Sequence, residues 1–270
     1  MIGTQLIEEL VQSVALSHCV KGYRRCSLLM LAAPESGKTT IATAANCTHV
    51  KQIAIMSGRS IVREVNSHPT TEFLLFNDLT VIRALSQSAG NLLVTMLNQL
   101  TQDERGAIGF AGKEVEEIKR PAGIIGCLAF STFVDHRARW KEVGFISRMI
   151  PFAYYYDDEL IAEIKDAIDT GSHAKRAQAG AKMPKARPSP ILVKMDQDLT
   201  RAVRRLSDAR AKKLKQLGIR LLQNYHVLIR AHALLMKRTE VTAEDMKFLR
   251  AVDAYVSITE CMPLNTNGKD

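Results

Sequence analysis

Residues 27–40 read SLLMLAAPESGKTT. The apolar run 27–31 leads into Ala32-Ala33-Pro34-Glu35-Ser36-Gly37-Lys38-Thr39-Thr40, and Ile41, Ala42, Ala44 and Ala45 continue as a helix. A strand that breaks into Gly-Lys-Thr and then a helix suits a nucleotide. Backbone N–H groups of the loop and the helix N-terminus receive phosphate, Lys38 reaches the β and γ oxygens, and the Thr39 hydroxyl ligates Mg2+. Residues 32–40 are the expected contacts of ATP. Ala32 stands where the usual pattern begins with glycine. An ordinary strand–turn–helix shares the shape without the chemistry.

A second anchor is TEFLLFNDL, residues 71–79. Four consecutive apolar residues predict a strand covered on both faces, and it ends in Asn77-Asp78. An acid there holds Mg2+ directly or through water. The common pattern closes with two acids, and here only Asp78 is acidic. Asp78 is favoured as the metal-associated acid, with Glu35 or Glu72 as substitute general bases. In the other register Asn77 takes the metal position and Asp78 orients the attacking water. An Asx turn ending a plain strand is the alternative without chemistry.

Residues 123–130, GIIGCLAF, form another buried-strand run, and Ser131-Thr132 follow it. A small polar side chain such as Thr132 is placed there to sense the γ-phosphate beside Asp78. Further on, GFISRMI (residues 144–150) carries Arg148. A guanidinium at the γ-phosphate neutralises developing charge and can be supplied by a neighbouring subunit. A surface arginine opening a strand is the plainer reading.

The flanking segments read more simply. Residues 1–19 have helical spacing, 51–57 predict a strand, 79–99 predict a helix with Ile82, Leu85, Leu92, Leu93, Met96 and Leu97 inward, and the glycine-punctuated stretch 103–121 predicts a hairpin or loop.

Composition bounds the rest. The chain has 270 residues, 46% hydrophobic and 24% charged, long enough for a substantial core. No apolar run approaches the roughly 20 residues of a membrane span, so no membrane partner is expected. The acidic, helical start does not read as a signal peptide. Cys19, Cys26, Cys47, Cys127 and Cys261 are scattered, odd in number and without CxxC spacing. Buried thiols in a reducing cytoplasm are expected rather than disulfides or zinc ligands.

The net charge of +9 points to an anionic partner. Residues 170–191 are expected to be a basic flexible linker, with Lys175, Arg176, Lys182, Lys185 and Arg187 and no acid from 171 to 190. Residues 198–217 predict a basic helix containing Arg201, Arg204, Arg205, Arg210, Lys212, Lys213 and Lys215, stopped by Gly218. The linker cations with Arg204, Arg205 and Lys212 are the candidate DNA contacts. A solubilising linker is the rival reading. Two more helices follow, the second opened by Thr242 as N-cap with Asp245 three residues on.

Phosphate loop, apolar strand ending in Asp, polar-ended strand, arginine segment and helical tail together resemble an AAA+ ATPase. Residues 144–150 resemble the arginine-finger segment of minichromosome-maintenance (MCM) helicases, which falls on Arg148. Ile219-Arg220, the run 228–233 and the run 241–245 resemble the lid of the MCM and MoxR branch, making Arg220 the sensor-2 arginine. The resemblance implies an α/β P-loop NTPase core over residues 1–169, with a mainly parallel sheet flanked by helices. A small all-helical lid domain over 192–270 completes it, with nucleotide between core and lid. It implies ATP hydrolysis with Mg2+ in a homo-oligomeric ring, hexameric in that family, with catalytic roles for Lys38, Asp78, Asn77, Thr132, Arg148 and Arg220. A helicase-like motor or helicase loader on DNA, with a replication partner, is the function it favours. A MoxR-like protein-remodelling ATPase and a nucleotide-dependent scaffold of low turnover stay open.

Overall fold

Continuous apolar runs can be strands only if both faces are covered, and the molecule covers them with helices. The computed structural model describes residues 4–42, 47–53, 58–80, 87–102, 106–109, 115–142, 144–170 and 189–264. Strands β1 (Ser27–Ala32), β2 (Val50–Ile53), β3 (Phe73–Phe76), β6 (Gly123–Ala129), β7 (Met149–Tyr155) and β8 (Met262–Pro263) form one sheet in the order β2-β3-β6-β1-β7-β8. Every pairing in it is parallel. β1 is buried at all six positions, as a central strand of a doubly covered parallel sheet must be. β4 (Gly106–Gly109) and β5 (Val115–Ile118) form a separate antiparallel hairpin, as the glycine spacing predicts.

The register positions the site. β6 lies between β1 and β3, pairing Ala32 with Ala129, Leu29 with Gly126, and Phe76 with the same Gly126. β3 therefore stops three residues short of the end of β1, and Asn77-Asp78 turn beneath the phosphate loop. The Leu79 N–H hooks that turn onto the Cys127 carbonyl at 2.8 Å. Gly126 makes room for it: a Cβ there comes within 2.5 Å of Leu79 Cδ1.

The helices are α1 (Gln5–Leu16), α2 (Lys38–Ala42), α3 (Gly58–Ser67), α4 (Gln87–Leu100), α5 (Phe130–Glu142), α6 (Asp158–Asp169), α7 (Gln197–Leu214), α8 (Ile219–Leu235) and α9 (Ala243–Ala254). α1 is a core element rather than a leading arm. It buries Ile7, Leu10, Val11 and Val14 and packs against α8. Of the helix expected over 79–99, residues 79–80 form a turn and α4 covers Gln87–Leu100, while 81–86 lie outside the described residues. Of its predicted inward residues, Leu93, Met96 and Leu97 are buried, Leu92 is partly buried, and Ile82 and Leu85 lie outside the described residues.

The C-terminal part is helical as expected. Asp196 caps α7 by accepting from the Leu199 N–H at 2.7 Å, and Asp245 accepts from the Thr242 N–H at 2.7 Å where α9 begins. It then departs from an all-helical module. β8 returns to the sheet and pairs Tyr154 with Met262.

Gly126→Ala should cost about 1–3 kcal/mol of stability, because the new methyl must displace Leu79 from a filled site. Urea unfolding measures this, and an unchanged midpoint would show that the Leu79 turn is free to move.

Candidate nucleotide site

The phosphate loop lies outside the carboxyl end of β1, where open parallel sheets receive ligands. Glu35 and Gly37 have φ of 62° and 67°, on either side of Ser36. Such left-handed residues curl a backbone so that neighbouring N–H groups form a concave anion seat. Lys38 Nζ donates to the carbonyl of Ala32 at 3.1 Å, to Ser36 Oγ at 3.1 Å and to the Ala33 carbonyl. Burial lowers its pKa, opposed by Cys127, Asp78 and Cys261. The loop lysine, the acid after β3 and the chain's last cysteine are thus near neighbours.

Thr39 Oγ1 donates to the Asn77 carbonyl at 3.4 Å, so the hydroxyl suited to Mg2+ meets the end of β3. Asn77 Oδ1 is buried and has no hydrogen-bond partner among the described residues. Asp78 is exposed, with Oδ1 accepting from the Thr80 N–H at 2.8 Å. Leu79 is buried, so no second acid stands in this turn. An orphaned amide oxygen, a threonine hydroxyl and an adjacent carboxylate are hard oxygen donors, and this set fits Mg2+ with bound water.

Glu72 does not belong here. It precedes β3 at the other edge of the sheet, fully buried and ion-paired with Arg25. Its carboxylate cannot serve as a base at the phosphate loop. Glu35 is exposed on the loop. Thr132 lies not at a strand end but in the first turn of α5, and it is buried, while the exposed hydroxyl there belongs to Ser131.

Two residues that sequence reasoning passed over hold the loop. Tyr156 donates to the Ser36 carbonyl at 2.7 Å, and Tyr154 reaches the same oxygen at 3.5 Å. Burial pushes the Tyr156 phenol up to about 12, so at neutral pH it remains a donor. Tyr154 lies near the end of β7 and Tyr156 just beyond it, and the extended spacing of two places both on one side. Nothing in the sequence tells what that side meets.

Arg148 and Arg220 come together, far from this loop. Arg148 ends the 3-10 turn Ile146–Arg148, immediately before β7. Met149 pairs with Ser27, the first residue of β1, whereas the loop begins at Ala32. Five residues of parallel strand separate the two levels by roughly 17 Å. Arg148 Nη1 donates to the Gly144 carbonyl at 2.6 Å, and Arg220 Nη1 donates to Ser147 Oγ at 2.9 Å. Both line a cavity of about 480 Å³ with Arg24, Arg25, Gln223 and Asn224, and none of its described lining residues is acidic. Burial first, then the charge of Arg220, lowers the Arg148 pKa. The expected nucleotide position between core and lid thus separates from Arg220, which stands at the opposite edge of the sheet.

On α7, Arg204, Arg205 and Lys212 are exposed. Arg204 has Asp208 at 3.9 Å, a weak surface pair. Arg210 turns inward instead, donating to both oxygens of Asp253 and to the Val256 carbonyl. Lys175, Arg176, Lys182, Lys185 and Arg187 lie outside the described residues. No helix among the described residues is long and apolar enough to cross a membrane, and none of their His, Cys, Asp and Glu groups forms a metal cluster.

No family model and no curated protein matches the chain. Among solved structures it is similar to a full-length MCM homolog from Methanopyrus kandleri, at 10% identity and a TM-score of 0.53. The likeness covers 96% of this chain and 56% of that one. The fold is that of a P-loop NTPase. This chain has a mainly parallel sheet, flanking helices and a helical C-terminal part, and it spans little more than half of the neighbour's length.

Tyr156→Phe removes one donor from the Ser36 carbonyl and leaves the ring in place. Affinity for Mg-ATP should fall roughly fivefold, the value of about 1 kcal/mol for one hydrogen bond. Titration with a fluorescent ATP analogue measures it, and unchanged affinity would mean that the tyrosines only fill space.

Proposed function

We propose that this chain is a Mg2+-dependent ATPase of AAA+ type, that its site is completed by a neighbouring copy, and that it works on DNA. The position of Arg148 is the observation that carries the reading. A guanidinium roughly 17 Å along the sheet from its own phosphate loop has no use for its own nucleotide. It sits beside a second arginine in a cavity with no acid among its described lining residues. The natural anion for that pair is the terminal phosphate on another copy.

Within one copy, Lys38 and the backbone of residues 32–40 bind the phosphates. Thr39 and Asn77 take the metal side, because they meet each other and Asn77 Oδ1 is the buried acceptor awaiting a partner. Bound Mg2+ neutralises phosphate charge. Asp78, exposed one residue further on, is left to orient the attacking water. This is the second of the two registers open in the sequence. A ring of copies, hexameric in the family resembled, places every loop against a neighbour's Arg148 and Arg220.

DNA is the partner we favour over a protein substrate. Arg205 and Lys212 project from α7 with no ion pair among the described residues, and Arg204 is held by one weak pair. The basic stretch 171–188 precedes that helix. Such cations bind phosphates and release counterions, giving steep salt dependence and little sequence preference. A low-turnover scaffold is the second reading, favoured by the single acid after β3.

Subunit mixing tests the shared site. Lys38→Ala should lose Mg-ATP binding, and Arg148→Ala should keep binding but lose turnover by about 10³-fold or more, the scale of a missing arginine finger. Mixed oligomers of the two variants should regain part of the activity, because some interfaces pair an intact loop with an intact Arg148. Absence of rescue in verified mixed oligomers contradicts the sharing. Adding DNA to the wild-type assay across a salt series tests the partner. The expected result is stimulation that fades as salt rises, and no DNA binding even at low salt would move the proposal to a protein substrate.

A further inference from the structure

Two like charges converge in the cavity at the amino-terminal edge of the sheet, and the bonds that hold them form a short chain. Arg220 Nη1 donates to Ser147 Oγ at 2.9 Å. Ser147 Oγ donates to the Gly144 carbonyl at 2.9 Å. The same carbonyl accepts from Arg148 Nη1 at 2.6 Å. We infer that Ser147 is a positioning residue that binds the helical-module arginine to the core arginine, so that both reach a neighbouring copy's nucleotide as one unit. The inference rests on the shared-site reading above.

The chemistry of the link is selective. It needs a group that accepts from a guanidinium and donates to a carbonyl through one atom, at a distance of one side-chain carbon from the backbone. A hydroxyl does this. A carboxylate at residue 147 would also hold Arg220, but it would cancel the positive charge that the cavity offers to phosphate. An alanine would leave two guanidiniums facing each other with only Arg148 anchored. Gly144 has a matching constraint. Its φ is +72°, and a Cβ there would stand 2.7 Å from Arg148 Nη1, so only glycine brings its carbonyl this close to the arginine.

Arg148 is thereby oriented without being saturated. Its Nε is buried and finds no acceptor among the described residues. A guanidinium has five N–H donors, and one carbonyl uses only part of that capacity. Arg220 is similarly held by a neutral oxygen. A neutral link costs these arginines none of their attraction for an anion, whereas a salt bridge would compete with it. Ser147 touches no nucleotide in this scheme. It acts through Arg220 and through the carbonyl that it shares with Arg148.

Steady-state ATPase assays on the assembled full chain test this. Ser147→Ala should lower kcat about tenfold with KM for ATP unchanged, since the loop that binds ATP is at the other edge of the sheet. Ser147→Thr, which keeps the hydroxyl, should recover most of the loss. The double variant Ser147→Ala/Arg220→Ala should be no slower than Arg220→Ala alone, because the serine's effect passes through that arginine. An undiminished serine effect on the Arg220→Ala background overturns the inference, as does a wild-type kcat for Ser147→Ala. If Arg148→Ala and Arg220→Ala themselves leave turnover unchanged, the shared-site reading fails and this one falls with it. If those two lower turnover and Ser147→Ala does not, only the role of Ser147 is lost.

Discussion

Parallel pairing of β7 with β1 is the constraint on which the rest depends. In a parallel pair both strands start at one edge of the sheet and finish at the other. β1 therefore carries the phosphate loop at its finish, and β7 carries Arg148 at its start and Tyr154 near its end. One strand thus bears on two candidate sites at opposite edges of the sheet. The tyrosines steady this copy's own loop through the Ser36 carbonyl, while the arginine is turned away from it. The insertion of β6 between β1 and β3 completes the arrangement by leaving the Asn77-Asp78 turn beneath the loop.

The arginines of the chain sort themselves by partner. Arg25 is paired with Glu72, Arg210 with Asp253 and Arg238 with Asp245, and each joins segments distant in sequence or pins a helix start. Arg230 is engaged by the Val193 and His226 carbonyls and by the ring of Tyr23, 4.6 Å from its centroid. Removing the acid from such a buried pair costs about 3–5 kcal/mol, because it strands a charge. Arg148 and Arg220 also lack an acid, and unlike Arg230 they stand together at one cavity. Among the described residues they hold only a carbonyl and a hydroxyl. Two adjacent charges without an acid among the described lining residues are costly unless an anion arrives, and that cost is the physical argument for a partner phosphate. His232 is the opposite case within the fold: it bonds Asp245 at 2.7 Å and stacks on Phe248, joining α8 to α9.

Much of this is legible in the sequence itself. Phe73-Leu74-Leu75-Phe76 and the run 123–129 are apolar or glycine on both sides of the pleat, which only a doubly covered strand requires. Lys38-Thr39 follow such a strand directly. Asp245 three residues after Thr242 announces the start of α9. Arg210 is readable too, since it stands seven residues after the buried Val203 and beside the buried Ala211, on the inward side of α7. Other features are not legible. Strand order is a property of long-range pairing, so the insertion of β6 between β1 and β3 has no local signature. The meeting of Tyr156 with Ser36 spans 120 positions. Glu72 carries no local mark that distinguishes a buried structural carboxylate from a catalytic one, and two-residue β8 is too short for a periodicity.

A structure of the assembled chain with Mg2+ and a non-hydrolysable ATP analogue tests the central claim most directly. The account predicts the analogue's phosphates on Ser36–Thr39 of one copy, with Arg148 of a different copy within hydrogen-bond distance of the terminal phosphate. An analogue whose terminal phosphate meets Arg148 of the same copy, or meets no second copy at all, would contradict it.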